Sequence, residues 1–207
     1  RKYLPLTYPT FLIGAIAIAG VPFLSGFFSK DAILTKAFAQ GQDSAFYYFI
    51  WGLGIMGAVL TAFYMFRLVF LTFLGEERLE PEVKKHIHES SKVMTIPLVI
   101  LAFFSVGAGY IGLPVVLGEK LNFFGKFLGP VIKEVQEVHL SLQTEWILIA
   151  IAAVVALLGI FIAYVFYIRS PSIPRNLATK FPTIYKLIFN KYYVDEIYDL
   201  LFVDRAK

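Results

Sequence analysis

Two ionisable residues interrupt an otherwise apolar run: Lys30 and Asp31 in TFLIGAIAIAGVPFLSGFFSKDAILTKAFAQ, Thr10 to Gln40. A charge at the centre of a bilayer costs at least about 2.5 to 3.5 kcal/mol on insertion scales, so such a residue faces a polar interior, a water path or a partner charge. The chemistry open to the pair is proton transfer, with Lys30 as a group that takes up and releases a proton and Asp31 as a carboxylate beside it in sequence. The nine residues from Lys30 to Ala39 span about 13 Å of helix, roughly half of a ~30 Å hydrocarbon core. Lys30 is therefore expected near the midplane. Asp31 points about 100° away from it around a helix, so it is expected to pair with another residue or to tune the field.

Other candidates are weaker. Arg67, in TAFYMFRLVFLTFLGE (Thr61 to Glu76), lies about two turns inside the end of its apolar run at Leu74. Two readings stay open: its guanidinium snorkels to the interface, or it faces the lysine as part of a chain of charges. The sequence HIHES, His86 to Ser90, offers two histidines and a glutamate with no further ligand nearby, and reads as a solvated interfacial loop rather than a metal site. Gly52, Gly54 and Gly57, and again Gly107, Gly109 and Gly112, match G-x-G-x-x-G. Both sets sit inside apolar runs with no strand before them, so they are small-residue packing surfaces and not dinucleotide fingerprints. No metal-binding or cofactor-binding residue is expected in this chain.

Positioning these groups requires membrane helices. The chain of 207 residues is 58% hydrophobic, 17% aromatic and only 16% charged, with a mean hydropathy of +0.70. Four apolar runs are long enough to span: Thr10 to Ala39, Phe46 to Leu74, Met94 to Leu117, and Trp146 to Ile168. None alternates with period two as a barrel strand would, and a bilayer leaves no water to satisfy an open strand edge. The first run carries Gly20, Pro22 and Gly26 in its middle. A proline removes a helix hydrogen bond and clashes one turn back, so this run is expected to break into two half-helices, with Ser25 capping the second. Lys30 follows the break closely, so it is expected near the positive dipole end of the second half-helix, which disfavours its charged form. Ionisable residues beside such a break are how transporters build ion sites.

The fold class expected is all-α: a polytopic membrane protein of about four transmembrane helices, the first broken, plus interfacial amphipathic helices. Residues 1–168 form the transmembrane region. Residues 118–144 space apolar side chains at three and four between charges, which predicts an amphipathic helix on the outer face. Residues 169–207 form an interfacial tail, in which Pro171, Pro174 and Pro182 delay any continuous helix until about Thr183. Beyond it, Val194, Ile197, Leu200 and Leu201 line one face, and Asp195, Glu196 and Asp199 the other. Apart from Lys30 and Arg67, thirteen Lys and Arg lie on the side of the two chain ends and four on the opposite side. The positive-inside rule places both ends in the cytoplasm or an organelle matrix.

The absence of cysteine excludes disulfides, thiolate metal sites and Cys-ligated iron–sulfur clusters. A net charge of +4, dispersed among acidic residues, argues against nucleic acid as a partner. With Arg1 in place of an initiator methionine, the sequence is expected to be an internal piece of a longer protein.

Four stretches in order, AIAIAGVPFLSGFFSKDAIL, FYMFRL, HESSKVMTIPL and KYYVDEIYD, resemble the antiporter-like membrane subunits of respiratory complex I, most closely the largest, the NADH-quinone oxidoreductase subunit L family. The first stretch is shared with Mrp-type cation/proton antiporter subunits, whereas the last favours complex I. The resemblance implies a part of the proton-translocating arm of an NADH:quinone oxidoreductase, with Lys30 and Asp31 matching the charged residues of a midplane proton path. It implies that NADH, flavin, iron–sulfur clusters and quinone belong to other subunits, so that the fragment itself carries no redox site. The implied partners are the other membrane subunits of the complex, the lipid bilayer, protons and water. The location implied is a bacterial cell membrane or a mitochondrial or plastid inner membrane. The tail would lead into a long lateral helix. A structural anchor without proton transfer is the remaining alternative.

Overall fold

A computed structural model of the chain describes residues 1–75, 81–112, 127 and 140–203. The first apolar run forms two helices, α1 (Thr7–Ala19) and α2 (Ser25–Gln40). Helix α3 (Ala45–Val69) continues through a π-helical turn at Phe70–Leu74. A short α4 (Pro81–Lys85) precedes α5 (Lys92–Gly107), which tightens into a 3-10 turn at Ala108–Ile111. Helix α6 (Leu142–Tyr164) ends in a π-helical turn at Val165–Arg169. The amphipathic helix expected from the spacing of Leu121 through Val138 lies outside the described residues. The protein is all-α and multi-pass. Three helical stretches are long and apolar enough to cross a membrane: Ala45–Leu74, Lys92–Ile111 and Leu142–Arg169.

By its internal contacts the chain divides into two units, Arg1–Ile168 and Arg169–Lys207. Within the first, α1 and α2 in series run antiparallel along α3. The rings of Phe11 and Phe73 lie 5.6 Å apart, Ala19 joins Ala62, Phe66, Phe70 and Ala163 in a buried cluster, Leu34 lies beside Gly54, and Phe38 meets the ring of Trp51 at 5.4 Å. As the chain advances from 11 to 38, its partners on α3 recede from 73 to 51, so the two half-helices together match the depth of one full helix. Helix α6 packs on α3 through Gly159, where a Cβ would fall 2.6 Å from Ala62 Cβ and from the Val59 carbonyl oxygen. The expected small-residue surfaces are therefore used in part. Gly54 and Gly109 have close neighbours, whereas Gly52, Gly57 and Gly107 face open space.

The second unit corrects one expectation. Helix α7 (Ser172–Lys180) contains Pro174, and α8 (Pro182–Phe189) starts on Pro182, so helix forms well before Thr183. The reason is position: both prolines fall in a first turn, where a backbone N–H has no helical acceptor to lose. The real interruption is at Lys191, Tyr192 and Tyr193, all with positive φ, between α8 and a short α9 (Val194–Tyr198).

Candidate functional site

The break between α1 and α2 is built from backbone chemistry. Helix α1 ends in a Schellman motif: Gly20 N–H donates to the Ala17 carbonyl at 3.0 Å and Val21 N–H to the Ile16 carbonyl at 3.3 Å, with Gly20 at φ 82°. Only a residue without a Cβ takes that conformation readily. A turn follows at once. Leu24 N–H donates to the Val21 carbonyl, Pro22 sits at the second position and Phe23 at the third with φ 71°, the pattern of a type II turn. Pro22 therefore shapes the turn between the helices more than it kinks a continuous one. Helix α2 then starts beside the end of α1, because a Cβ on Gly26 would overlap the Ala17 carbonyl. Its N-cap is Leu24, with no side-chain cap, so Ser25 does not serve as one.

The overlap decides the partner of Lys30. The Schellman bonds satisfy the Ile16 and Ala17 carbonyls, leaving Ile18 among the unpaired carbonyls at the end of α1. Lys30 Nζ donates to that Ile18 carbonyl at 2.6 Å. The expectation that Lys30 feels chiefly the positive end of α2 is thus revised. It stands past the first turn of its own helix, where that dipole has faded, and against the negative end of α1, which favours a cation.

Asp31 is 4% exposed, and its Oδ1 is buried with no hydrogen-bond partner among the described residues. It lies on the side of α2 that packs on α6, one turn beyond Phe27 and Phe28, which meet Ile149, Ala152 and Ala153. Glu145, in the first turn of α6, is the carboxylate that acts on it through space. Sequence reasoning missed Glu145 because its place opposite Asp31 comes only from the antiparallel register of α2 and α6. Arg67 is not brought to this site. Its guanidinium lies over the Tyr167 ring, 5.5 Å from the centroid, about one and a half turns along α3 from the level of Ala62 and Ala19.

At the other end of α1 the sequence HIHES acquires a role. Glu89 Oε2 accepts from the backbone N–H of Leu6 at 2.7 Å and of Thr7 at 3.2 Å, and Oε1 accepts from the Thr7 hydroxyl at 2.5 Å and from Ser90 N–H at 3.2 Å. A side chain more than eighty residues away in sequence therefore caps the N-terminus of α1. The Thr7 hydroxyl, foremost, and then the amides hold the Glu89 carboxyl below the usual glutamate range, against an opposing effect of burial.

The comparisons with known proteins bear on this arrangement. Residues 68–207 match the family described as the C-terminal transmembrane segments of the NADH dehydrogenase of complex I. The chain belongs to that family. Residues 1–61 match a second family, the transmembrane region of NADH:quinone oxidoreductases and Mrp antiporters. Among curated relatives, the chain is 40% identical over 98% of its length to NAD(P)H-quinone oxidoreductase chain 5 of Picosynechococcus sp., covering 32% of that protein. It is 38% identical to the chloroplastic NAD(P)H-quinone oxidoreductase subunit 5 of Mesostigma viride, over 98% of this chain and 30% of the relative. It is 34% identical to NADH-quinone oxidoreductase subunit L of Rickettsia bellii, over 98% of this chain and 31% of the relative. The chain thus spans about a third of the length of the curated relatives it matches, and the resemblance drawn from the SKD helix to the complex I family holds.

Proposed function

We infer that this chain is part of the proton-translocating membrane arm of an NADH:quinone oxidoreductase, and that Lys30 carries the proton. The observation that carries the reading is the contact of Lys30 Nζ with the Ile18 carbonyl at the break, in a chain of the complex I family. Ala19, next to Ile18, packs at the level of Ala62, near the middle of the thirty-residue stretch Ala45–Leu74, which supports a mid-depth placement. As an ammonium, Lys30 donates to Ile18 and is stabilised by the end of α1. As an amine it loses that attraction and is free to accept a proton from water on either side. Asp31, buried one residue on, sets the local field, and with Glu145 supplies the nearest carboxylates toward the α6 end. Redox chemistry, with NADH, flavin, iron–sulfur clusters and quinone, belongs to other subunits of the complex. Those subunits, the lipid bilayer, protons and water are the partners. The Mrp-type antiporter remains the second reading, because the family matched by residues 1–61 is described for both.

The test uses the full-length subunit assembled in its membrane complex. Lys30→Met abolishes proton uptake by inverted vesicles while the complex stays assembled. Lys30→Arg can still donate to Ile18 but hardly deprotonates, and so does not restore pumping. Wild-type pumping by Lys30→Met would sink the assignment. Proton pumping driven by NADH oxidation supports the oxidoreductase reading, whereas cation/proton exchange without it supports the antiporter.

A further inference from the structure

The break is clamped from outside its own helix pair. The 3-10 turn at the end of α5 lies against the start of α2: Gly109 sits where a Cβ would be 2.7 Å from Ser25 Cα and 2.5 Å from Phe28 Cδ2. Its neighbour Tyr110 meets the Phe28 ring at 5.5 Å, near edge-on, and the Tyr110 hydroxyl donates to the Phe23 carbonyl at 3.0 Å. Phe23 is the residue that most needs holding. It takes the left-handed position of the turn that glycine normally occupies, which disfavours any side chain carrying a Cβ, and its own ring is 71% exposed, so packing does little to fix it. The hydroxyl of Tyr110 anchors the carbonyl of that strained residue, and the turn so fixed sets how far α2 overlaps α1.

We propose that Tyr110 is a positioning residue for Lys30: its hydrogen bond to Phe23 holds the strained turn and thereby the alignment of Lys30 Nζ on the Ile18 carbonyl. The proposal rests on the reading of Lys30 as the proton carrier. It makes the end of α5, a helix with no ionisable residue between Lys92 and Tyr110, a part of the proton site through its backbone contacts and one hydroxyl.

The test compares Tyr110→Phe, Phe23→Gly, the double variant and Lys30→Met in the assembled complex. Two quantities are read: hydrogen exchange of the segment from Val21 to Phe28, and the pH profile of proton pumping. Loss of one hydrogen bond predicts roughly two- to tenfold faster exchange in Tyr110→Phe, together with a displaced pH profile. Glycine at 23 removes the strain the bond restrains, so the double variant returns both readouts toward wild type, and does the same for assembly if Tyr110→Phe assembles poorly. Unchanged exchange in Tyr110→Phe overturns the clamp. Faster exchange with an unmoved pH profile overturns its link to Lys30, and so does failure of glycine to rescue, which would make the hydroxyl a proton relay or a general packing group. Full pumping by Lys30→Met would instead remove the proton reading itself, and the exchange data would still report on the clamp.

Discussion

Helix α1 is capped at both ends by charged side chains supplied from elsewhere in the chain, and the two caps differ in what they can do. At the N-terminus Glu89 takes the Leu6 and Thr7 amides; at the C-terminus Lys30 takes the Ile18 carbonyl. Each sign matches its end of the helix dipole. Glu89 sits at the rim of the span with several donors around it, so water replaces any bond it loses. Lys30 has a single such bond at a helix break inside the apolar layer, where water is scarce and a change of protonation changes the contact itself. Identical electrostatic logic makes a structural cap at one end and a candidate proton carrier at the other.

The largest expected effect separates the ends directly. Lys30→Met brings proton pumping to background with assembly kept, whereas Glu89→Gln leaves pumping in place, since a neutral amide still accepts from the α1 amides. Vesicle proton uptake on the two variants side by side decides it, and equal losses would show that both caps act in the same path. Next in size is Gly26→Ala. Its Cβ meets the Ala17 carbonyl, backbone that cannot step aside as a flexible side chain would, so the overlap of the half-helices opens at a cost of about 1–3 kcal/mol. Thermal unfolding in detergent and pumping should fall together. Stability lost without pumping would detach the overlap from function.

The N-terminal cap has its own signature in pH. The Glu89 carboxyl is depressed below its ordinary value of 4.5, so its contribution is fully present above that value and is lost as pH falls through the lower folded value. Hydrogen exchange in the first turn of α1 should therefore accelerate, relative to its intrinsic rate, as the medium is acidified below pH 4.5, and Glu89→Gln should flatten that dependence. A first turn indifferent to both would remove Glu89 as its cap. The smallest effect is expected at Arg67. Arg67→Gln loses an exposed cation–π contact worth about 0.5–1 kcal/mol and leaves pumping near wild type. A collapse of pumping there would place Arg67 in the charge path after all.

Much of this was legible from residue types alone. Apolar runs of spanning length dictate helices because a bilayer leaves backbone groups nowhere else to bond. Gly20 and Pro22 announce the break because one supplies positive φ and the other fixes a turn. The placement of Lys30 and Asp31 in an apolar run marks them as candidates without any coordinates. Tail prolines misled, since sequence shows that a proline is present but not whether it falls in a first turn.

What the tertiary structure alone decided are the partners. Ile18, Glu89, Glu145 and Tyr110 carry no local signal of their roles, since a backbone carbonyl, a loop carboxylate, a first-turn glutamate and a helix-end tyrosine are ordinary in any sequence. Their contacts join residues from 12 to 87 positions apart, and such pairs are set by how α1, α2, α5 and α6 pack around α3. The sequence by itself determined which segments must be helical, where the first one breaks and which residues bear charge inside it. The overlap of the two half-helices, and with it the end of the dipole that Lys30 meets, follows from the close approach of Gly26 to the Ala17 carbonyl, which only packing in three dimensions can set.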